Sequence, residues 1–185
     1  MFSGENMFQR FRSRNDPQAQ IRRLYGAIVA QAREPRFYTD YGVPDTVEGR
    51  FDMLVLHVYL VSRRLMAGGQ ESPPAQEMFD LFFQDMDENM RELGVGDLSV
   101  PKKVRAMGEA FYGRAGVYNA ALAENGDEML VSALERNVFA GAENTHAARQ
   151  LARYVRATDR ALAAQSQPEI AQGEIVFPEP EEILP

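Results

Sequence analysis

A Glu-x-x-His pair is the arrangement in this 185-residue sequence that comes closest to a metal site. Glu143 and His146 stand three residues apart on a predicted helix, a spacing that the di-iron helical bundles use. Those bundles need a second such pair, and the residue three positions before His57 is Leu54. We therefore predict no metal site and expect His146 to be exposed near a helix start.

His57 is the other imidazole, and it lies inside the apolar run of residues 53–61. We expect a core histidine that hydrogen-bonds to a neighbour, rather than a haem ligand. The chain has no cysteine, which excludes thiolate zinc sites, iron–sulfur clusters and cysteine nucleophiles. No phosphate-binding glycine loop, dinucleotide fingerprint or nucleophile elbow occurs either. The sequence therefore predicts a protein that is not an enzyme, with no catalytic residue and no cofactor.

Charge is distributed unevenly along the chain. Residues 1–36 carry seven arginines against three acids, which makes this segment +4 within a chain whose net charge is -7. The remainder is therefore -11. The overall charge of -7 argues against a whole-surface nucleic-acid binder, and we predict no DNA partner. A basic N-terminal segment on an otherwise acidic protein can orient it on an anionic surface such as lipid headgroups or RNA. The alternative interpretation of this charge is a solvated first helix.

The first fifteen residues mix aromatic and basic side chains in a way that suits a membrane interface or a ribosome. Each basic residue adds roughly 1 kcal/mol of attraction near anionic lipid. We predict contact with a membrane or a ribosome, against the alternative of a merely disordered N-terminus, through a short set of side chains: Phe8, Arg10, Phe11, Arg12 and Arg14. No secretory signal and no apolar run of ~18 residues is present, so we expect a cytoplasmic protein, peripheral to the inner membrane at most.

Helical periodicity and helix-boundary signals dominate the rest of the sequence. They predict an all-α fold, a compact bundle of five to six helices joined by short loops. The expected helices span about residues 17–33, 46–67, 73–93, 99–124, 128–139 and 143–164, and the second begins at a capping box with Asp45 as an acidic cap. Residues 54–61 are apolar nearly all round, which is typical of a buried central helix.

The predicted domain organisation has three parts. Residues 1–15 form a flexible basic N-terminus, residues 16–165 form the helical domain, and residues 166–185 form an acidic tail. The tail holds four prolines and five glutamates and no basic residue, so we predict that it is disordered.

Several blocks of the sequence, in their order and density, resemble the ubiquinol-cytochrome c chaperone family over about residues 20–160. The blocks read Pro35-x-Phe37-Tyr38, Gly42-Val43-Pro44-Asp45-Thr46-x-x-Gly49-Arg50-Phe51, Leu56-His57, Arg64-Leu65, Phe79-Asp80-Leu81-Phe82-Phe83-x-Asp85-Met86-Asp87, Arg91-Glu92-Leu93-Gly94-Val95-Gly96-Asp97, Val100-Pro101-Lys102-Lys103 and Ala110-Phe111-Tyr112-Gly113-Arg114.

The resemblance implies a role in assembling the cytochrome bc1 complex, respiratory complex III. Mitochondrial members bind newly made cytochrome b, can sit near the ribosomal tunnel exit and work with a small partner subunit. This chain looks like a compact bacterial member, and the family has no established catalytic residues to carry over. We therefore expect an assembly chaperone that shields cytochrome b until haem insertion and assembly. The alternative is a peripheral membrane- or ribosome-associated adaptor without a dedicated client.

Two surfaces are predicted to bind the partner. The first is the loop after the first helix, whose tyrosines suit interface anchoring, and the second is a basic patch on the fourth helix. Together they give these predicted contact residues: Phe37, Tyr38, Tyr41, Val43, Lys102, Lys103, Arg105 and Arg114. An apolar groove lined by aromatic and methionine side chains would take a helix or loop of cytochrome b.

Overall fold

The computed structural model describes residues 16–69, 72–92, 94–140 and 144–184. All regular elements in these ranges are helices, which confirms the predicted all-α fold. In chain order they are α1 (Pro17–Ala32), α2 (Arg36–Thr39), α3 (Val47–Leu65), α4 (Pro73–Glu92), α5 (Val100–Ala123), α6 (Glu128–Asn137), α7 (Thr145–Ala164), α8 (Gln167–Ala171) and α9 (Pro180–Ile183).

Side-chain caps set where several helices begin. Asp16 accepts a hydrogen bond from Gln18 N at 3.2 Å and is followed by Pro17 at the first position of α1. Thr46 Oγ1 accepts from Gly49 N at 3.1 Å and caps α3. The prediction of Asp45 as the cap is wrong, since its carboxylate instead pairs with Arg50 at 2.7 Å.

Helix α3 is the central element, as its apolar run predicts. The side chains of residues 53–62 are buried, and α3 packs against α1, α4 and α7. On one side α4 adds a stripe of buried Phe79, Phe82 and Met86. The Phe79 ring meets Phe111 of α5 edge to face, with centroids 5.2 Å apart, so this stripe joins α4 to α5.

Arg156 of α7 ties together the turn between α5 and α6. Its guanidinium donates to the main-chain oxygens of Ala121, Glu124 and Gly126 and to the carboxylate of Asp127. Carbonyls at a helix C-terminus lack intrahelical partners, so a cation placed there satisfies and stabilises them. This contact holds the far end of α5 against the bundle.

The structure differs from the sequence prediction over the C-terminal segment, which is packed rather than disordered. Ile170 of α8 is fully buried where α8 meets α1 and α3. Gln167 Nε2 donates to Arg64 O at 2.8 Å, and residues 174–184, here called the strap, then cross the bundle. The composition of residues 166–185 indicated too little apolar surface for this segment to fold by itself. Its residues Ile170, Phe177 and Ile183 instead contact a core that the rest of the chain forms.

The strap starts at a tight turn. Gly173 has φ +82°, and a Cβ at this position would stand 2.8 Å from Arg23 Cβ. Glycine is therefore required both by the left-handed backbone and by the close approach of α1. The turn sends the chain back across α1, α3 and α7.

Candidate partner-binding surface

Helix α5 has a long face that the described part of the bundle leaves open. Only Val100, Phe111, Tyr118 and Ala121 of its 24 residues are buried. These anchors share one side of the helix, so the opposite side faces solvent along its length. That outer side is the candidate partner-binding surface.

The charged residues predicted on α5 fall into three different environments. Lys102 and Lys103 are exposed and form no ion pair among the described residues. Arg105 is exposed but pairs with Glu109 at 3.1 Å. The prediction that Arg114 joins this patch is wrong, because its guanidinium turns inward to Asp52 at 2.7 Å.

The pair of Arg114 and Asp52 links α5 to α3. Both side chains are largely buried, at 22% and 13% exposure. Burial raises the pKa of Asp52 to about 6, against the attraction of the Arg114 guanidinium. The pair therefore positions α5 and is not available to a partner.

Beyond Glu109 the outer side of α5 carries no exposed charge up to Ala123. Apart from Asn119, whose Oδ1 accepts hydrogen bonds from Tyr59 and Arg63, the exposed residues are mainly small and apolar. Six of them are here called the neutral face: Ala110, Tyr112, Gly113, Gly116, Val117 and Ala120. Tyr112 is 64% exposed and Val117 is 37% exposed. Outer helix faces are normally charged or polar, so this face is unusual for a helix in contact with water alone.

Two glycines of the neutral face have no role in the packing of this chain. A Cβ added to Gly113 or Gly116 would meet no atom within 4 Å. Glycine inside a helix costs about 1 kcal/mol relative to alanine, and small residues allow two helix backbones to approach closely. The face was not predicted from the sequence, although these two glycines inside a helical pattern were a usable signal.

Three of the four residues predicted as partner anchors in the loop after α1 belong to the core. Phe37 and Tyr41 are fully buried and Val43 is 2% exposed, so the prediction of an open anchoring loop is wrong. Tyr38 is half-buried, and its hydroxyl donates to Ala32 O at 2.7 Å. The segment turns inward because α2 begins directly after Pro35 and packs Phe37 against Tyr154 of α7, with ring centroids 4.7 Å apart.

His57 is a buried core histidine with two hydrogen bonds, as predicted. Its Nδ1 lies 2.8 Å from Met53 O and its Nε2 lies 2.9 Å from Tyr154 Oη. A carbonyl only accepts, so Nδ1 carries the proton and the Tyr154 hydroxyl donates to Nε2. Burial lowers the pKa of His57 to about 4, so the ring is neutral at physiological pH.

The remaining predicted contact residues, Phe8, Arg10, Phe11, Arg12 and Arg14, lie outside the described residues. His146 is exposed in the first turn of α7. Within residues 16–69, 72–92, 94–140 and 144–184, no three His, Asp or Glu side chains come together as a metal site would require. No helix in the same ranges combines the length and hydropathy needed to cross a bilayer.

Known proteins share sequence and fold with this bundle. A protein from Xenopus laevis named ubiquinol-cytochrome-c reductase complex assembly factor 1 is 23% identical over 118 residues. That match covers 63% of this chain and 58% of the length of the Xenopus protein. The crystal structure of the Cbp3 homolog from Brucella abortus superposes with a TM-score of 0.81 at 39% identity, covering 96% of this chain and 97% of that one.

The family model described as ubiquinol-cytochrome C chaperone matches residues 39–177. The matched region includes the central helix α3, the whole of α5 with its neutral face, and the first part of the strap. This match spans well over half of the sequence and agrees with the likeness to the Brucella structure. The chain therefore belongs to the ubiquinol-cytochrome C chaperone family.

Proposed function

We propose that this protein is an assembly chaperone for the cytochrome bc1 complex that binds newly made cytochrome b and shields it until haem insertion and assembly. The observation that carries this proposal is the family match over residues 39–177, supported by the name of the Xenopus relative. A cytochrome b chain consists of apolar helices, which aggregate in water unless another surface covers them.

The neutral face of α5 is the surface that suits such a client. Gly113 and Gly116 leave room for a second helix backbone, and Tyr112 and Val117 offer exposed apolar area beside them. Membrane helices associate through close packing of small residues rather than through the hydrophobic effect alone. A client helix laid along α5 therefore keeps a packing mode that it also uses in the membrane.

Lys102 and Lys103 stand at the N-terminal end of the same helix and provide orientation. They are exposed, and a client whose loop carries acidic residues or whose helix C-terminus points toward them gains from their charge. Rim charges of this kind set the register and the association rate more than the final affinity. A small partner subunit and contact with a membrane or ribosome belong to the same proposal.

Lys102 and Lys103 are the only lysines in the sequence, so amine-reactive crosslinking tests the proposal directly. Amine-reactive crosslinking in membranes under mild detergent, followed by capture of the chaperone, should enrich cytochrome b. The variant K102R/K103R keeps both charges and removes both amines, so its crosslinked yield should fall while capture without crosslinker stays the same. A crosslinked yield of this control equal to that of the wild type would show that the client does not contact the two lysines.

Loss of the gene provides the second test of the proposal. Cytochrome b level and its haem content should both fall in cells that lack this protein, because an unshielded client is degraded. Restoring the wild-type gene should recover both quantities. Unchanged cytochrome b and haem in the deletion strain would contradict the function.

A further inference from the structure

The strap lies over an aromatic cluster between α1, α3 and α7. Phe177 at its centre is half-buried, and its ring meets His57 edge to face with centroids 5.8 Å apart. Beneath it, Tyr154 packs against Phe37 and Tyr41. Ile175, Ile183 and Leu184 of the strap also pack, partly buried, against the core, and Phe177 is the aromatic residue among these side chains.

The body holds the strap mainly through main-chain atoms. Gln165 donates to Val176 O at 2.7 Å and accepts from Val176 N at 2.9 Å, as a neighbouring peptide group would. Tyr41 Oη donates to Pro180 O at 2.7 Å, and Gln31 Nε2 reaches Pro178 O at 3.4 Å. Main-chain contacts of this kind are available to any extended segment, with a pocket for one side chain supplying selectivity.

Two strap residues contribute little to its seating. Glu181 pairs with Arg36 at 2.9 Å, but both side chains are largely exposed, so the pair contributes little. Val176 is 71% exposed and makes no apolar contribution to the seating of the strap. Within the described residues, the helices that line the groove all precede the strap in the chain.

We propose that the groove under the strap is a second docking site, whose occupant in the complex is an extended client segment with an aromatic residue at the position of Phe177. The identity of the client rests on the proposed function. In the free protein the strap fills the groove as an internal competitor at an effective concentration on the order of millimolar. A client segment held at a comparable effective concentration overcomes this competition, whereas a free peptide at low concentration does not.

The test uses the full chain and a fluorescently labelled peptide of residues 174–184 as the probe. Binding followed by anisotropy should be weak for the wild-type chain and at least about tenfold tighter for F177A, whose own strap has lost its aromatic anchor. V176S is the matched control, because residue 176 is exposed, and it should behave as the wild type. A labelled peptide that itself carries F177A should lose binding to every chain.

A second variant tests the proposal independently of whether F177A folds correctly. E181R removes the ion pair with Arg36 without touching the core, and it should tighten peptide binding by about threefold. Equal affinity of the wild-type, F177A and E181R chains for the probe would overturn the proposal. Dimers formed by exchanged straps would assign the groove to a second copy and would overturn it as well.

Capture of cytochrome b separates this proposal from the function on which it rests. F177A should capture more cytochrome b than the wild type, since the client no longer competes with the strap. Peptide binding that follows the predicted order, with no cytochrome b captured by any variant, would support the groove and contradict the proposed client. Reduced capture by F177A, with its fold intact, would overturn the groove as a client site.

Discussion

At the scale of single residues, a chain of hydrogen bonds runs through the core. Gln31 Nε2 donates to Tyr154 Oη at 3.0 Å, Tyr154 donates to His57 Nε2, and His57 Nδ1 donates to Met53 O. Each polar atom of the imidazole is satisfied, which is the condition for burying it. The apolar run around His57 was sufficient to predict a core histidine, but its partner Tyr154 lies 97 residues away and could not be identified from spacing.

This buried imidazole predicts a pH-dependent stability. The pKa of His57 is lowered to about 4 in the folded protein, against about 6.5 in the unfolded chain, so only the unfolded chain gains a proton between these values. The free energy of unfolding should therefore decrease as pH falls from about 6.5 to 4, by about 3 kcal/mol from this residue. Urea unfolding at a series of pH values between 4 and 8 measures this decrease in the free energy of unfolding.

H57Q is the control for that experiment, because it keeps a polar side chain but removes the titrating group. It is expected to be less stable at pH 7, yet its stability should fall less steeply below pH 6.5. An identical pH slope for H57Q and the wild type would contradict the assignment. Carboxylates titrate in both proteins, so the difference between the two slopes isolates the imidazole.

The glycines of the neutral face yield an unusual residue-scale prediction. G113A and G116A should each stabilise the free protein by about 0.5–1 kcal/mol, since alanine is the better helix former and its Cβ meets nothing. The same variants should capture less cytochrome b, because the added methyl groups keep a client helix further away. Urea unfolding and the lysine crosslinking yield measure the two effects.

G108A is the matched control on the same helix. A Cβ at this position would lie 3.5 Å from the Phe83 ring, an ordinary contact on the inner side of α5. Its capture of cytochrome b should equal that of the wild type. Unchanged capture by G113A/G116A would show that the neutral face does not bind the client.

At the scale of elements, periodicity and boundary residues predicted the long helices within a few residues of their observed ends. Pro17, Pro73 and the Gly68–Gly69 stop mark boundaries that local chemistry alone decides. The strap was missed because its hydrogen bonds join residues as far as 147 positions apart, while its proline and glutamate content indicated disorder. The loop around Tyr41 was misjudged for the same reason, since the strap contributes to its burial.

Loss of one hydroxyl should loosen the strap selectively. Y41F removes the donor to Pro180 O and leaves that buried carbonyl without its partner, a cost of about 1–3 kcal/mol. Amide hydrogen exchange of residues 175–184, followed by mass spectrometry, should accelerate about tenfold or more. Exchange in α3 should stay slow, because its own hydrogen bonds are not touched.

Y112F is the control, because this tyrosine is exposed on α5 and makes no contact with the strap. Its exchange pattern should match the wild type throughout. Equal acceleration of α3 and the strap in Y41F would indicate global destabilisation and would contradict a locally opening strap.

At the scale of the whole molecule, the sequence combines a net charge of -7 with a basic start. Arg10, Arg12 and Arg14 should attract the protein to vesicles of anionic lipid, with about 1 kcal/mol from each residue. The variant R10A/R12A/R14A is therefore expected to bind such vesicles about a hundredfold less in flotation assays. The binding should also weaken as salt increases.

R22A/R33A/R160A removes three exposed arginines elsewhere and serves as the charge-matched control. Its vesicle binding should remain close to that of the wild type. An equal loss in both triple variants would show that general charge, rather than the first fifteen residues, drives the association. Vesicle binding without any capture of cytochrome b would favour an adaptor over a chaperone.

The position of the strap has a practical consequence for every one of these assays. An affinity tag fused after residue 185 would extend directly from the strap, whose Pro180 O accepts a hydrogen bond from Tyr41 and whose Phe177 ring contacts His57, and a bulky fusion there would compete with these contacts. Immobilisation through that end would then resemble a strap mutation. A handle inserted at the turn after α3, where Gly68 and Gly69 are exposed and a Cβ would meet no atom within 4 Å, would leave both the strap and the outer side of α5 unchanged.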